Sequence, residues 1–201
     1  LMERTLSAVR EAGDAPVFLT GAGDAFSAGL NLKEIVALDE QGLGKFLGVL
    51  EDLVQALYEH PGPTVAFVNG HAIAGGCVMA LCCDVRVMTP REGARIGLNE
   101  VAIGLRFPPR TAKMCMNRVS GPSLSRVLLE AALYPASEAL ALGLIDVIGD
   151  EAEALAVDGE PRAGERVEQP ERFGSGSGHR PAGTRIESKV PDGHVGFGLR
   201  R

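Results

Sequence analysis

The chain has 201 residues, 45% of them hydrophobic, which is enough for one domain with a substantial core. A formal net charge of −6 and a pI near 5.3 argue against nucleic acid or an anionic membrane as partners, and the first three quarters of the chain show no basic patch that would reverse this. No apolar run approaches bilayer length, and the opening residues lack the basic and apolar regions of a secretory signal, so the expectation is a soluble, intracellular protein.

Leu6, Val9 and Ala12 recur among charged residues, which predicts an amphipathic helix already under way at the first residue. Val17, Phe18 and Leu19 predict a strand closed by Thr20-Gly21 and followed by a glycine-rich loop. From Leu43 to Glu59, Phe46, Leu47, Leu50, Leu53, Val54, Leu57 and Tyr58 fall at spacings of three and four, a helix with one broad buried face. His60-Pro61-Gly62-Pro63 ends it. Val65 to Val68 predicts a strand buried on both faces, ending in the Asn69-Gly70 turn. Gly75-Gly76 then opens a helix-compatible run, so unbonded N–H groups at a helix N-terminus are offered to an oxyanion. Strands are expected at Asp84 to Met88, Ala94 to Gly97 and Leu144 to Ile148, with helices from Gly121 to about Leu133 and from Ala136 to Leu142.

Beyond Asp150 apolar periodicity ends and Gly, Pro, Arg, Glu and Ser dominate, so residues 1–150 read as the core domain and 151–201 as a disordered tail. Its basic residues, Arg180, Arg185, Lys189, Arg200 and Arg201, read as a solvated linker rather than a polyanion site. Cys77, Cys82, Cys83 and Cys115 lie in apolar, helical-looking segments and read as small hydrophobes, since no histidines stand at ligand spacing.

Two separated segments, Gly23-Asp24-Ala25-Phe26-Ser27-Ala28-Gly29-Leu30-Asn31-Leu32-Lys33-Glu34 and Asn69-Gly70-His71-Ala72-Ile73-Ala74-Gly75-Gly76, the second followed by a helix and Cys83-Asp84, together resemble the crotonase family of enoyl-CoA hydratases and isomerases. The resemblance covers roughly residues 1–150. It implies an α/β fold, the crotonase-like ββα spiral, here incomplete at the N-terminus and lacking the usual C-terminal helices that cover the acyl pocket. It further implies an acyl-CoA substrate, a homotrimer or hexamer, and no resident cofactor or metal. The expected compartment is the cytoplasm in a prokaryote, with mitochondrion or peroxisome as alternatives.

Chemistry next to a thioester carbonyl needs a base for a weakly acidic proton and donors for the enolate oxygen. Matched residue by residue, the resemblance implies that the backbone N–H groups of Leu30 and Gly75 are those donors. Ala28, Gly29, Gly76 and Val78 then fall in the substrate-binding segments, and Gly29 and Gly75 lack side chains that would block a ligand. Many relatives carry two catalytic glutamates. Here the first position is Val78, which cannot transfer a proton, while the second is Glu100 in Ile96-Gly97-Leu98-Asn99-Glu100. A lone carboxylate suits a double-bond shift better than hydration, and the segments around Ser27, Gly75 and Glu100 look like the mitochondrial-type 3-enoyl to 2-enoyl-CoA isomerases. A hydratase or thioester hydrolase, and a truncated acyl-CoA-binding homologue without activity, are the alternatives. Asp84 and His71 read as structural, and Lys33-Glu34 as a solvated helix start. Arg106-Phe107-Pro108-Pro109 stands where many relatives have a glycine-rich turn.

Overall fold

A computed structural model of the chain describes residues 2–157, 184–188 and 198–199, the last two by backbone alone. Helix α1, Met2–Glu11, buries Thr5, Leu6, Ala8 and Val9, the apolar stripe that its spacing announces. Strand β1 (Val17–Gly21) and the short β2 (Ala25–Ser27) follow, then α2 (Leu32–Ile35) and the long α3 (Glu40–Tyr58). Asp39 caps α3 by accepting from the Gly42 N–H at 2.7 Å. Only the second half of the expected face of α3 is buried, through Leu50, Leu53, Val54 and Leu57. Leu43 and Leu47 remain 36% and 39% exposed, while Lys45 between them pairs with Glu3 of α1 at 3.7 Å.

Next come β3 (Thr64–Val68), β4 (His71–Ile73), α4 (Gly75–Cys82), β5 (Val85–Met88) and β6 (Ile96–Gly97), then a single 3-10 turn, Glu100–Ile103. Helices α5 (Pro109–Arg118), α6 (Gly121–Leu129) and α7 (Ala136–Ala141), strand β7 (Val147–Ile148) and helix α8 (Glu151–Ala156) continue the chain. Helix α6 stops short of the expected Leu133. Ala131 turns to φ +52°, and Tyr134 bonds Ile96 in both directions, N–H to O at 2.8 and 3.0 Å, which draws the chain into an extended bridge. The strand expected from Leu144 is reduced to Val147–Ile148, since Leu144 and Ile145 turn fully into the core instead.

Two sheets result. The larger has the order β7-β5-β3-β1 and continues with β8 (Thr184–Ser188) and β9 (Gly198–Leu199); the smaller has the order β2-β4-β6. β3 is central and pairs in parallel with β1 (Val17↔Thr64) and with β5 (Val65↔Val85). All five of its residues are buried. Strand alternation divides them: Ala66 and Val68 join the main core with Leu53, Leu57 and Leu81, whereas Val65 and Phe67 join a second cluster with Val85, Val87 and Ala154.

That second cluster corrects the expectation of a disordered tail starting at residue 151. Helix α8 carries a capping box, in which Asp150 accepts from the Glu153 N–H at 2.9 Å and Glu153 accepts from the Asp150 N–H at 2.7 Å. Its Ala154 is fully buried over β3 and β5. Composition hides this helix because only one small residue per turn needs to be apolar. Thr184–Ser188, also expected to be disordered, is a strand parallel to β1 from Val17↔Thr184 to Gly21↔Ser188. The remainder of the expected tail lies outside the described residues.

Ala154→Asp puts a carboxylate against the apolar Val65, Phe67, Val85 and Val87. It is expected to lower unfolding stability at neutral pH by about 2–4 kcal/mol. A urea titration reads the change directly, and a loss below about 0.5 kcal/mol would mean that α8 does not cover this face.

Candidate functional site

The site is built where the two sheets meet the start of α4. Asn69, at the end of β3, accepts from the Gly21 N–H at 3.0 Å and donates to the carbonyls of Gly21 (3.0 Å) and Gly23 (2.9 Å). It therefore clips the loop after β1 to the end of the central strand. Arg91 adds a second clip through Asp24, with 2.8 Å to Oδ1 and a further bond to the Asp24 carbonyl. Neither residue stood out as functional in the sequence, although a polar side chain directly after an apolar strand is the available signal for Asn69.

From this anchored loop β2 runs beside β4 and delivers residues 28–31 to the end of β4. Gly29 has φ +88°, and a Cβ there would stand 2.8 Å from the Ile73 carbonyl oxygen, so only glycine lets the loop lie against the strand. Ser27 Oγ accepts from the Gly29 N–H at 3.2 Å. On the other side, Ala74 adopts φ +50°, ψ −118° as the N-cap of α4 and is held by its N–H to the Gly97 carbonyl at 2.9 Å. A Cβ on Gly76 would sit 2.4 Å from the Ser27 carbonyl oxygen, so glycine is needed for α4 to close on β2. Gly75 differs: a Cβ there would meet Leu30 Cγ at an ordinary 3.6 Å. Protein packing alone does not demand glycine at this position.

Leu30 and Gly75, 45 positions apart in the chain, are thus in contact. Among the described residues neither the Leu30 N–H nor the Gly75 N–H meets an acceptor. Gly75 is the first residue of α4, where helix geometry leaves N–H groups unbonded and the local potential is positive. Ala28 is exposed beside them, Gly29 is half-buried and Gly76 buried. Val78 is 3% exposed and belongs to the main core.

Glu100 enters from the third strand of the small sheet. β6 pairs with β4 (Ile73↔Gly97), which places Gly97 beside the Ala74 turn, and Glu100 follows three residues later, within about 11 Å of chain. It opens the 3-10 turn, is 8% exposed, and its Oε2 is buried without a hydrogen-bond partner. Burial raises its pKa from 4.5 to about 7, opposed only by a hydrogen bond from its own backbone. Cys77 on α4 and Cys115 on α5 are both fully buried and feel the Glu100 charge, and desolvation holds both thiols protonated. A carboxyl that titrates near neutrality in an apolar setting can accept and return a proton.

The other candidates are placed elsewhere. Asp84 accepts from the Thr64 N–H (3.0 Å) and hydroxyl (2.8 Å) and from Arg118 (3.5 Å), a joint between β3, β5 and α5. His71 is exposed. Lys33 and Glu34 stand in α2, where Asn31 caps the helix through the Lys33 N–H (3.2 Å) and donates to Glu34 (2.7 Å). Among the described residues no group of three or more His, Cys, Asp or Glu side chains could hold a metal ion, and no helix is long and apolar enough to cross a membrane. A surface cleft between α1 and the end of α3, lined by Arg10, Asp52, Glu59 and His60, contains none of the candidate residues.

Comparison with known proteins identifies the family and the fold. A family model described as enoyl-CoA hydratase/isomerase matches residues 4–158. The chain is 40% identical over 148 residues to a Thermus thermophilus protein that carries the name of an enoyl-CoA hydratase, covering 71% of this chain and 56% of that protein. It is 33% identical over 123 residues to the rat mitochondrial enoyl-CoA delta isomerase 1, covering 61% of this chain and 43% of the relative. The chain thus spans about half the length of these relatives. Among solved structures, human mitochondrial delta3-delta2-enoyl-CoA isomerase superposes with a TM-score of 0.72 at 26% identity, over 78% of this chain and 63% of that one.

The raised pKa of Glu100 has a consequence for stability. Between about pH 4.5 and pH 7 the folded protein keeps a proton on Glu100 that the unfolded chain has released, so this residue's contribution to stability falls as pH rises through that window. Glu100→Gln removes the effect. The variant is expected to be more stable than the parent by about 2–3 kcal/mol at pH 8.5 and to match it at pH 4. Urea titrations at the two pH values measure this, and equal differences at both would mean that the carboxylate is solvated.

Proposed function

Because the chain belongs to the enoyl-CoA hydratase/isomerase family, we propose that it moves the double bond of a 3-enoyl-CoA to the 2 position, with Glu100 as a single proton shuttle. The Glu100 carboxylate takes a proton from C2, leaving a dienolate whose oxygen is held by the N–H groups of Leu30 and Gly75. The protonated Glu100 then delivers the same proton to C4, and the conjugated thioester forms without any external oxidant or water. The observation that carries the reading is the buried Glu100 carboxyl, whose Oε2 meets no hydrogen-bond partner among the described residues, together with Val78 where a second acid would be needed to manage water.

The energetics favour this arrangement. A pKa near 7 leaves a large share of the carboxylate ionised at neutral pH yet makes it basic enough to compete for a thioester α-proton. Two preorganised N–H donors, one in the loop after β2 and one at the start of α4, are worth most where water is excluded, on the order of 10²–10³ in rate for each donor. No resident cofactor is needed, since the CoA ester itself is the substrate. The homologues named as isomerases support the choice, and the relative that carries the name of a hydratase keeps hydration of a 2-enoyl-CoA as the second reading. Assembly into a trimer or hexamer is proposed with the family and is read by the mass of the purified protein.

Incubation with 3-enoyl-CoA and, separately, with 2-enoyl-CoA tests the reading by product. Conjugated 2-enoyl thioester from the first substrate is expected; 3-hydroxyacyl-CoA from the second would favour the hydratase, free CoA the thioester hydrolase, and binding without product the inactive homologue. Glu100→Gln is expected to lower kcat by at least about 10²–10⁴-fold while the Kd for a saturated acyl-CoA stays within a few-fold. Unchanged turnover would remove Glu100 from the mechanism.

A further inference from the structure

Ala74 holds a backbone conformation that its side chain opposes. Its φ +50° and ψ −118° lie close to the first central position of a type II′ turn, where glycine dominates because a Cβ crowds the backbone. Among the described residues only Ala131 also combines a side chain with positive φ, and Ala131 stands just past the end of α6, where such a turn is common. Ala74 instead opens α4. Its N–H donates to the Gly97 carbonyl at 2.9 Å and its own carbonyl accepts from the Val78 N–H at 3.0 Å, so strand β6 and the first turn of α4 hold it from both ends. The methyl group lies against the loop after β2: the point where Gly29 would carry a Cβ is 3.2 Å from the Ala74 Cβ and 3.5 Å from the Gly75 nitrogen.

We infer that Ala74 is a positioning residue, whose methyl group fixes the direction of the Gly75 N–H and its spacing from the Leu30 N–H. The inference rests on the oxyanion role proposed for those two amides. The Gly75 N–H belongs to the peptide plane between residues 74 and 75, and rotation about ψ of Ala74 turns that plane. Glycine at position 74 would relieve the crowding and at the same time open a wide range of ψ to the plane. Alanine confines it to a narrow well, and the contact with the Gly29 segment sets how near the two loops come. Strain at this point is therefore explained by donor geometry, since preorganised donors act only if they already aim at the oxygen in the transition state.

Ala74→Gly tests this, because relief of strain and loss of alignment move stability and rate in opposite directions. Its Tm is expected to rise by about 2–4 °C, while kcat for a 3-enoyl-CoA falls about tenfold and KM stays within about twofold. Ala74→Ser keeps the Cβ and is expected to hold kcat within about threefold of the parent. A readout free of turnover is the Kd of a 3-ketoacyl-CoA, whose enolate shares its negative charge with the thioester oxygen, divided by the Kd of the saturated acyl-CoA of equal length. That ratio is expected to rise about tenfold in Ala74→Gly. Unaltered kcat and ratio in Ala74→Gly would overturn the inference, as would an Ala74→Ser variant as slow as Ala74→Gly. So would kcat and Tm falling together in Ala74→Gly, which would make the methyl a packing group only. A parent that does not prefer the 3-ketoacyl-CoA would overturn it as well, by removing the oxyanion role. If the parent shows that preference and Ala74→Gly loses it, but no 3-enoyl-CoA is isomerised, the proposed reaction fails and the positioning role stands.

Discussion

The contact on which the rest depends is the close approach of the loop after β2 to the end of β4, where Gly29 lies so near the Ile73 carbonyl that a Cβ would stand 2.8 Å from its oxygen. Two segments far apart in sequence become neighbours there, and the start of α4 is locked on the far side by Gly76 against Ser27. The arrangement leaves the Leu30 and Gly75 amides in one neighbourhood with no acceptor of their own among the described residues. Backbone donors in this position are rigid because they belong to elements held by the Asn69 and Arg91 clips and by the central strand, and preorganised donors lose no rate to rearrangement.

Glu100 shows the cost of placing chemistry in such a setting. A carboxyl that packing desolvates, and whose Oε2 meets no donor among the described residues, weakens the fold at neutral pH, and the same desolvation makes it a competent base near neutrality. Cys77 and Cys115 contribute by being small and neutral: their thiols, fully buried, leave the carboxyl in apolar surroundings without offering it a counter-charge. The molecule therefore holds a locally unfavourable group by surrounding it with a well-packed core, a balance expected at sites that transfer protons.

That core is organised in two layers around β3. One layer, between the large sheet and helices α3 and α4, carries the candidate site. The other is thin and depends on α8, whose single buried alanine covers Val65, Phe67, Val85 and Val87. On the far side, β1 is flanked by Thr184–Ser188 in parallel register, so helix α8 and this strand are more structured than composition indicates.

Much of this was legible in the sequence. The apolar run at Val65–Val68, the spacing in α1 and in the second half of α3, the Gly75-Gly76 helix start and the isolated Glu100 are local patterns, set by side-chain periodicity and backbone sterics, and residues alone determine them. Helix α5 is marked as well, by Pro109 at its first position and by Thr111, Met114 and Cys115 at helical spacing. The three-residue strands β2 and β4 carry no periodicity long enough to read. Three things only the tertiary structure decided. Leu30 and Gly75 meet because parallel pairing of β2 with β4 sets their loops side by side; Glu100 is desolvated because the fold buries it, within range of Cys77 on α4 and Cys115 on α5; and α8 is a helix because β3 has a second apolar face to cover. Each depends on which surfaces are brought together after the chain has crossed the sheet, and a local pattern specifies a face without specifying what will lie against it.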